Sequence, residues 1–327
     1  METVRIGVLG AARIAPAALI EPARIVPGVE VVAVAARDLN RAEDFARRHG
    51  IRTAYRDYRA LLDDQRIDAI YNPLPNGLHG RWTLAALEAG KHVLCEKPFT
   101  ANAEEARTVA AAAKASGLVV LEAFHYRYHP LARRLRELIL SGELGRLRHV
   151  ETAMCFPLPV FSDIRYDYRL AGGALMDAGC YAVHLARLLG GEPEVVGAAA
   201  KLRDPQVDRA MTAELRFPGG HTGTVRCSMW SRDVLRMSAR VVGDQGELRV
   251  LNPYAPQFGH RLSVRVGDHR RVEHFSRRPT YAYQLSAFVA AVLDGVPPLT
   301  PPEDSIATMT VIDAIYRAAG LPLRQPT

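Results

Sequence analysis

Residues 3–15 read TVRIGVLGAARIA. An apolar run from Val4 to Leu9 stops at Gly10, and small residues then lead into a helix-like stretch. A buried parallel strand, a glycine turn and a helix are how a dinucleotide-binding βαβ unit opens. The full fingerprint there is GxGxxG; here Ala12 and Ala15 stand at the second and third glycines. Alanine fits at the third position, whereas at the second it places a methyl where the backbone must approach a pyrophosphate. The turn of Gly10, Ala11, Ala12, Arg13 and Ile14 is the expected phosphate cradle, with the N–H groups at the helix start as donors. The plain alternative is a tight strand–helix turn packed with small residues.

Moving outward, the alternation of strand and helix continues. EVVAVAA at 30–36 reads as a strand, and Asp38 caps a helix over 39–49. Asp57 caps a short helix through Leu62, IDAIY at 67–71 is a strand, and a helix over 78–89 stops at Gly90. KHVLC, a helix over 102–116 ending at Gly117, and LVVLEA at 118–123 complete the series. This rhythm predicts an α/β chain whose residues 1–123 form a doubly wound, parallel-sheet Rossmann domain. From residue 124 the pattern changes. Helices are expected from Pro130 to about 140 and over 173–189, then strands at 194–202, 210–217, 221–230, 236–242 and in pieces to 275. Helices near 281–293 and 303–319 close the chain. Residues 124–327 are thus expected to be an α+β domain on a largely antiparallel open sheet.

The totals fit two soluble domains. The chain has 327 residues, 48% hydrophobic and 24% charged. No apolar run is long enough to span a bilayer, and no leader precedes the first strand, so a cytoplasmic enzyme is expected. Cys95, Cys155, Cys180 and Cys227 are far apart, with no CxxC pair or His/Cys cluster, and no metal is expected. The net charge of +7 comes from scattered arginines without a basic tail or stripe, which argues against nucleic acid.

The second strand ends in Ala36-Arg37-Asp38. An NAD site wants a carboxylate at that tip for the ribose hydroxyls. Arg37, with Arg41 one helical turn on, suits a 2′-phosphate instead, favouring NADP, while Asp38 leaves room for NAD. HVLCEKPF at 92–99 raises a second question. Of 42 basic residues only Lys91, Lys97, Lys114 and Lys201 are lysine. A lysine at a strand end, between Glu96 and Pro98, suits work that a guanidinium cannot do, because an ammonium can shift its pKa and transfer a proton. In GGALMDAGCYAVH at 172–184, Asp177, Tyr181 and His184 fall at i, i+4 and i+7 on one helical face. A tyrosine hydroxyl can exchange a proton with an alcohol or carbonyl oxygen, and a nearby lysine would lower its pKa. A structural tyrosine bonded to Asp177 is the rival reading.

CEKPF, IGVLGAARIA, PNGLH at 75–79 and GGALMDAGCYAVH, in this order over nearly the whole chain, resemble the Gfo/Idh/MocA oxidoreductase family. The resemblance implies that Lys97 is catalytic beside a nicotinamide, that Asp177 is the family's aspartate, and that Lys97-Pro98 is a cis peptide. Tyr181 stands where the commonest pattern has histidine. That substitution, and LEAFHYRYHP at 121–130, are similar to the branch of dihydrodiol dehydrogenases, glucose-fructose oxidoreductases and some D-xylose dehydrogenases. The branch implies NADP, a tyrosine acid/base and a sugar or cyclic-diol substrate. It also implies cofactor contacts from Asn76, His79 and Glu96, substrate contacts from Asp177, His184 and Arg127, and a homo-oligomer, dimer or tetramer, formed through the second domain. His79 also reads plainly as a helix-start histidine. The expected function is transfer of a hydride between nicotinamide and a carbinol or carbonyl carbon; a non-catalytic dinucleotide-binding regulator of the same fold is the alternative.

Overall fold

The computed structural model describes residues 3–327. The chain packs as two units. The first runs through Tyr128 and takes in Pro279–Ile306 and Pro326–Thr327; the second is His129–Arg278 with Ala307–Gln325. A boundary after residue 123 places the returning segment in the other unit. It returns because Ala282, Leu285, Phe288 and Val289 bury their side chains in the same core as Val4, Ile6, Val8 and Leu19.

The first unit holds six parallel strands: β1 (Val4–Leu9), β2 (Val29–Ala35), β3 (Thr53–Tyr55), β4 (Ala69–Asn72), β5 (His92–Cys95) and β6 (Val120–Glu122). Their order is β3-β2-β1-β4-β5-β6. Strand order therefore reverses between β1 and β4, the switch point beyond whose carboxyl ends ligands bind in such sheets. The helices of the chain are α1 (Glu21–Ala23), α2 (Leu39–His49), α3 (Tyr58–Leu62), α4 (His79–Glu88), α5 (Ala103–Ser116), α6 (Pro130–Leu140), α7 (Cys180–Gly190), α8 (Thr280–Asp294) and α9 (Pro302–Ala318). Asp38 caps α2 by accepting the Asn40 N–H at 2.9 Å, and Asp57 caps α3 through the Ala60 N–H at 2.8 Å. A turn of π-helix, Pro16–Ile20, precedes α1.

The second unit carries β7 (Leu147–Cys155), β8 (Glu194–Asp204), β9 (Val207–Arg216), β10 (Thr222–Ser228), β11 (Arg236–Gly243), β12 (Gly246–Leu251), β13 (Arg261–Val266) and β14 (His269–Glu273). The order is β14-β13-β12-β11-β7-β10-β9-β8. Every neighbouring pair is antiparallel except β7 with β10. The central strand, β7, is absent from the expected series, because LRHVETAMC interleaves charged residues with Val150, Ala153 and Cys155. The Thr152 hydroxyl donates to Ala182 O at 2.8 Å, which seats α7 on that strand. Among the described residues no helix is long and apolar enough to cross a membrane.

One buried ion pair anchors the segment that leads into α7. Asp208 and Arg324 are both fully buried, with Nη2 to Oδ1 at 2.8 Å. Arg324 also donates from Nε to Gly172 O at 2.6 Å, and Asp208 accepts the Leu175 N–H at 2.7 Å and the Tyr316 hydroxyl at 3.0 Å. Gly173, at φ +138, lies so close that a Cβ would sit 2.3 Å from Asp208 Oδ1. Only glycine fits there in both space and backbone angle. Arg324→Met leaves a buried carboxylate unpaired, so we expect a loss of roughly 3–5 kcal/mol in denaturant unfolding. A loss under about 1 kcal/mol would show that the pair does not anchor this segment.

Candidate active site

At the tips of β1 and β2 lies the turn expected to cradle a phosphate. Gly10, at φ +88, donates its N–H to Ala35 O at 2.7 Å. A Cβ on Gly10 would lie 3.1 Å from Leu74 Cδ2, so the tight turn excludes larger residues. Ala11 is buried, Ala12 half-buried, and Arg13 and Ile14 exposed. Arg41 reaches back to Ala11 O from Nη2 at 3.1 Å. Arg37 and Arg41 both act on Tyr58, whose phenol is pushed up by burial and pulled down by the two guanidiniums. Neither arginine is paired with a carboxylate among the described residues, and Asp38 is occupied as the α2 cap. Two solvent-facing guanidiniums beside the turn suit a phosphate better than a ribose diol, so the residues present fit NADP.

The end of β5 holds the second group. The Lys97–Pro98 peptide is cis. Glu96 is buried and accepts the Tyr71 hydroxyl at 2.8 Å, and Glu122 accepts the Phe99 N–H at 2.8 Å. His79 is buried with Nδ1 2.7 Å from Pro98 O and Nε2 2.6 Å from Leu74 O. Its ring therefore fastens the turn after Lys97 to the loop before α4. Burial pulls the His79 pKa down to about 4, against the pull of the two carbonyls, and the Lys97 charge adds to the shift. His125 behaves alike: burial first, and Lys97 next, lower it to about 3. The half-buried Lys97 ammonium thus acts on two buried imidazoles. His125 Nδ1 lies 2.8 Å from Thr280 Oγ1, and its ring packs on Tyr281 with centroids 4.1 Å apart. The Tyr281 phenol is pushed up, by burial first and Glu96 second. His125 and Tyr281 escape sequence reasoning because 155 residues separate His125 from its α8 partner Thr280. The other lysines differ: Lys91 is buried and donates to Asp64 O at 3.0 Å and Ile67 O at 2.8 Å, while Lys114 and Lys201 are exposed. Asn76 is half-buried in the turn Asn76–Leu78, and Arg127 is buried in the turn His125–Tyr128.

In the second unit Asp177, Tyr181 and His184 are all buried. The helix is not regular through them: Leu175–Gly179 is a turn of π-helix and α7 begins at Cys180. The wider turn displaces Asp177 from the strict i, i+4 alignment expected with Tyr181, and such turns are frequent at functional sites. Arg165 Nε lies 3.4 Å from Asp177 Oδ1, a cation that the sequence did not reveal. The Tyr181 ring packs against buried Tyr254 at 5.6 Å between centroids. Among the described residues no group of three His, Cys, Asp or Glu side chains is placed to hold a metal.

Comparison with known proteins bears on this arrangement. Residues 4–124 match the model of the Gfo/Idh/MocA oxidoreductase family with its NAD-binding Rossmann fold, and residues 132–249 match that family's C-terminal domain. The chain belongs to the Gfo/Idh/MocA oxidoreductase family. Among its relatives in the family is D-xylose 1-dehydrogenase (NADP(+)) 2 of Haloferax volcanii, 39% identical over 315 residues, covering 96% of each chain. Trans-1,2-dihydrobenzene-1,2-diol dehydrogenase of Mus musculus is 37% identical over 229 residues, 69% of this chain and 68% of that one. A solved 3-ketoreductase from Actinomadura kijaniata, in complex with NADP and TDP-benzene, superposes with a TM-score of 0.89 at 31% identity over 97% of this chain and 98% of that one. This Gfo/Idh/MocA chain is an oxidoreductase, with the parallel sheet followed by the mostly antiparallel one.

Proposed function

We propose that the protein is an NADP-dependent dehydrogenase or reductase acting on a carbinol or carbonyl carbon of a sugar or cyclic diol. Relatives named for D-xylose, a dihydrodiol and a keto-sugar support that substrate class. The observation that carries the cofactor choice is the pair Arg37 and Arg41, neither paired with a carboxylate among the described residues, both acting on Tyr58, with Arg41 bonded to Ala11 O. NADP, when bound, supplies or accepts the hydride at its nicotinamide.

The chain's own residues handle the proton and the positioning. Tyr181 gives a proton to the substrate oxygen in reduction and takes it in oxidation. Lys97 contributes an ammonium that favours negative charge on oxygen. Asp177, steadied by Arg165, accepts hydrogen bonds from substrate hydroxyls, and His184 and Arg127 contact others. Gly10 to Ile14, Asn76 and Glu96 hold the cofactor, with His79 and His125 bracing Lys97 from behind. The proposal includes a cytoplasmic homo-oligomer: four free, buried cysteines suit a reducing compartment, and exposed Val196, Leu251 and Val272 suit pairing of sheets from two copies. A monomer in sedimentation equilibrium would remove that last element.

NADPH is expected to bind at least about tenfold more tightly than NADH, and replacing Arg37 and Arg41 together with alanine should erase most of the difference. Titration calorimetry with both cofactors checks this; equal affinities in the unaltered protein would remove the 2′-phosphate reading.

A further inference from the structure

Phe161, Leu202, Arg203, Arg209 and Trp230, all in the second unit, line an open cavity of about 450 Å³. Phe161 and Trp230 are each 40% exposed, and their rings meet edge to face at 6.4 Å. Two aromatic faces are thus open to solvent side by side. The two arginines are held without being neutralised. Arg203 lies over the Phe161 ring with Cζ 4.9 Å from its centroid. Arg209 donates from Nη1 to Trp230 O at 2.6 Å and from Nε to Leu202 O at 3.3 Å. Neither forms an ion pair with a carboxylate among the described residues. The acids nearest in sequence are engaged elsewhere: Asp208 pairs with Arg324, Asp204 accepts the Gln206 and Val207 N–H groups at 3.0 and 3.1 Å, and Asp163 is 3.3 Å from Arg165 Nη1.

The cavity adjoins the groups assigned to the substrate. Phe161 packs on Tyr166 at 5.6 Å, and Arg165, the next residue, reaches Asp177. Burial first pushes the Tyr166 phenol up; Arg209 and then Arg203 pull it down, and Asp163 and Asp177 add to the rise. Two pre-positioned guanidiniums beside two open rings match a phosphate carried on a sugar, with a ring face left for a sugar or base to stack on. We propose that this cavity is a subsite for a phosphate-bearing group on the substrate, either a sugar phosphate or a nucleoside-diphosphate-linked sugar. This rests on the reading of the second unit as the substrate-binding one and narrows its substrate class.

The test compares kcat/KM for free sugars, their phosphates and nucleoside-diphosphate sugars on the NADP-loaded protein. Inorganic pyrophosphate is also titrated into the same protein by calorimetry. We expect a phosphate-bearing substrate to exceed its free sugar by at least about tenfold. Arg203→Ala with Arg209→Ala should cut that ratio by about the same factor and abolish pyrophosphate binding. Trp230→Ala should weaken only the nucleoside-linked substrate if that is the source of the phosphate. Free sugars turned over as well as phosphorylated ones, with no pyrophosphate binding to the folded protein, would overturn the subsite and leave the oxidoreductase reading intact. Pyrophosphate binding lost in the double variant, with no turnover of any sugar, would support the subsite and overturn that reading instead.

Discussion

Tyr181→Phe lowers turnover by roughly 10²–10⁴ while NADPH affinity barely changes. The substitution keeps the ring, which packs against Tyr254, and removes only the hydroxyl assigned to move the proton. A structural hydroxyl forecasts something else. Tyr181 is buried, and losing one hydrogen bond there would cost on the order of 1 kcal/mol of stability with little effect on rate. Melting temperature and turnover measured on one sample separate the two. A normal rate with a lowered melting temperature would make Tyr181 a packing residue, and His184, further along α7, would be the next acid/base to test.

Lys97→Met is the second large effect. It removes the ammonium at similar length, and turnover should again fall by roughly 10²–10⁴. In the double variant with Tyr181→Phe the two losses should not add, because groups that act as one catalytic unit are not independent. Lys97→Arg should recover little, since a guanidinium is neither compact nor titratable. The surroundings give an independent readout: without the Lys97 charge the imidazoles of His79 and His125 should titrate at higher pH than about 4 and about 3. Fully additive losses in the double variant would show that the two groups serve separate ends.

Much of this architecture is written in local signals. A strand, its glycine turn and the next strand's tip lie within about forty residues, so the amino-acid order by itself groups Gly10, Arg37 and Arg41. The action of both arginines on Tyr58 agrees with that grouping. The EKP turn is legible because lysine is scarce in this chain, and its cis bond is present. What stays hidden depends on distant partners. Arg165 on Asp177, Thr280 and Tyr281 on His125, and Arg324 on Asp208 join segments that no periodicity connects. Strand β7 escapes because a central strand with one face beneath α7 need not read as a clean apolar run. The π-turn before α7 escapes because the heptad-like spacing of Asp177, Tyr181 and His184 is what a regular helix would also give. Helix α8 is legible as a helix, but the core it enters is set by side chains nearly three hundred residues upstream.

The most direct test of the account is initial-rate measurement of NADP⁺ reduction, and of NADPH oxidation, over a panel of aldoses, sugar phosphates, keto-sugars and cyclic diols. Turnover of at least one of them is expected, faster with NADP than with NAD at equal concentration and lost in Tyr181→Phe. A folded protein that binds NADPH yet turns over nothing in either direction would contradict it and leave a dinucleotide-binding protein without a hydride-transfer reaction.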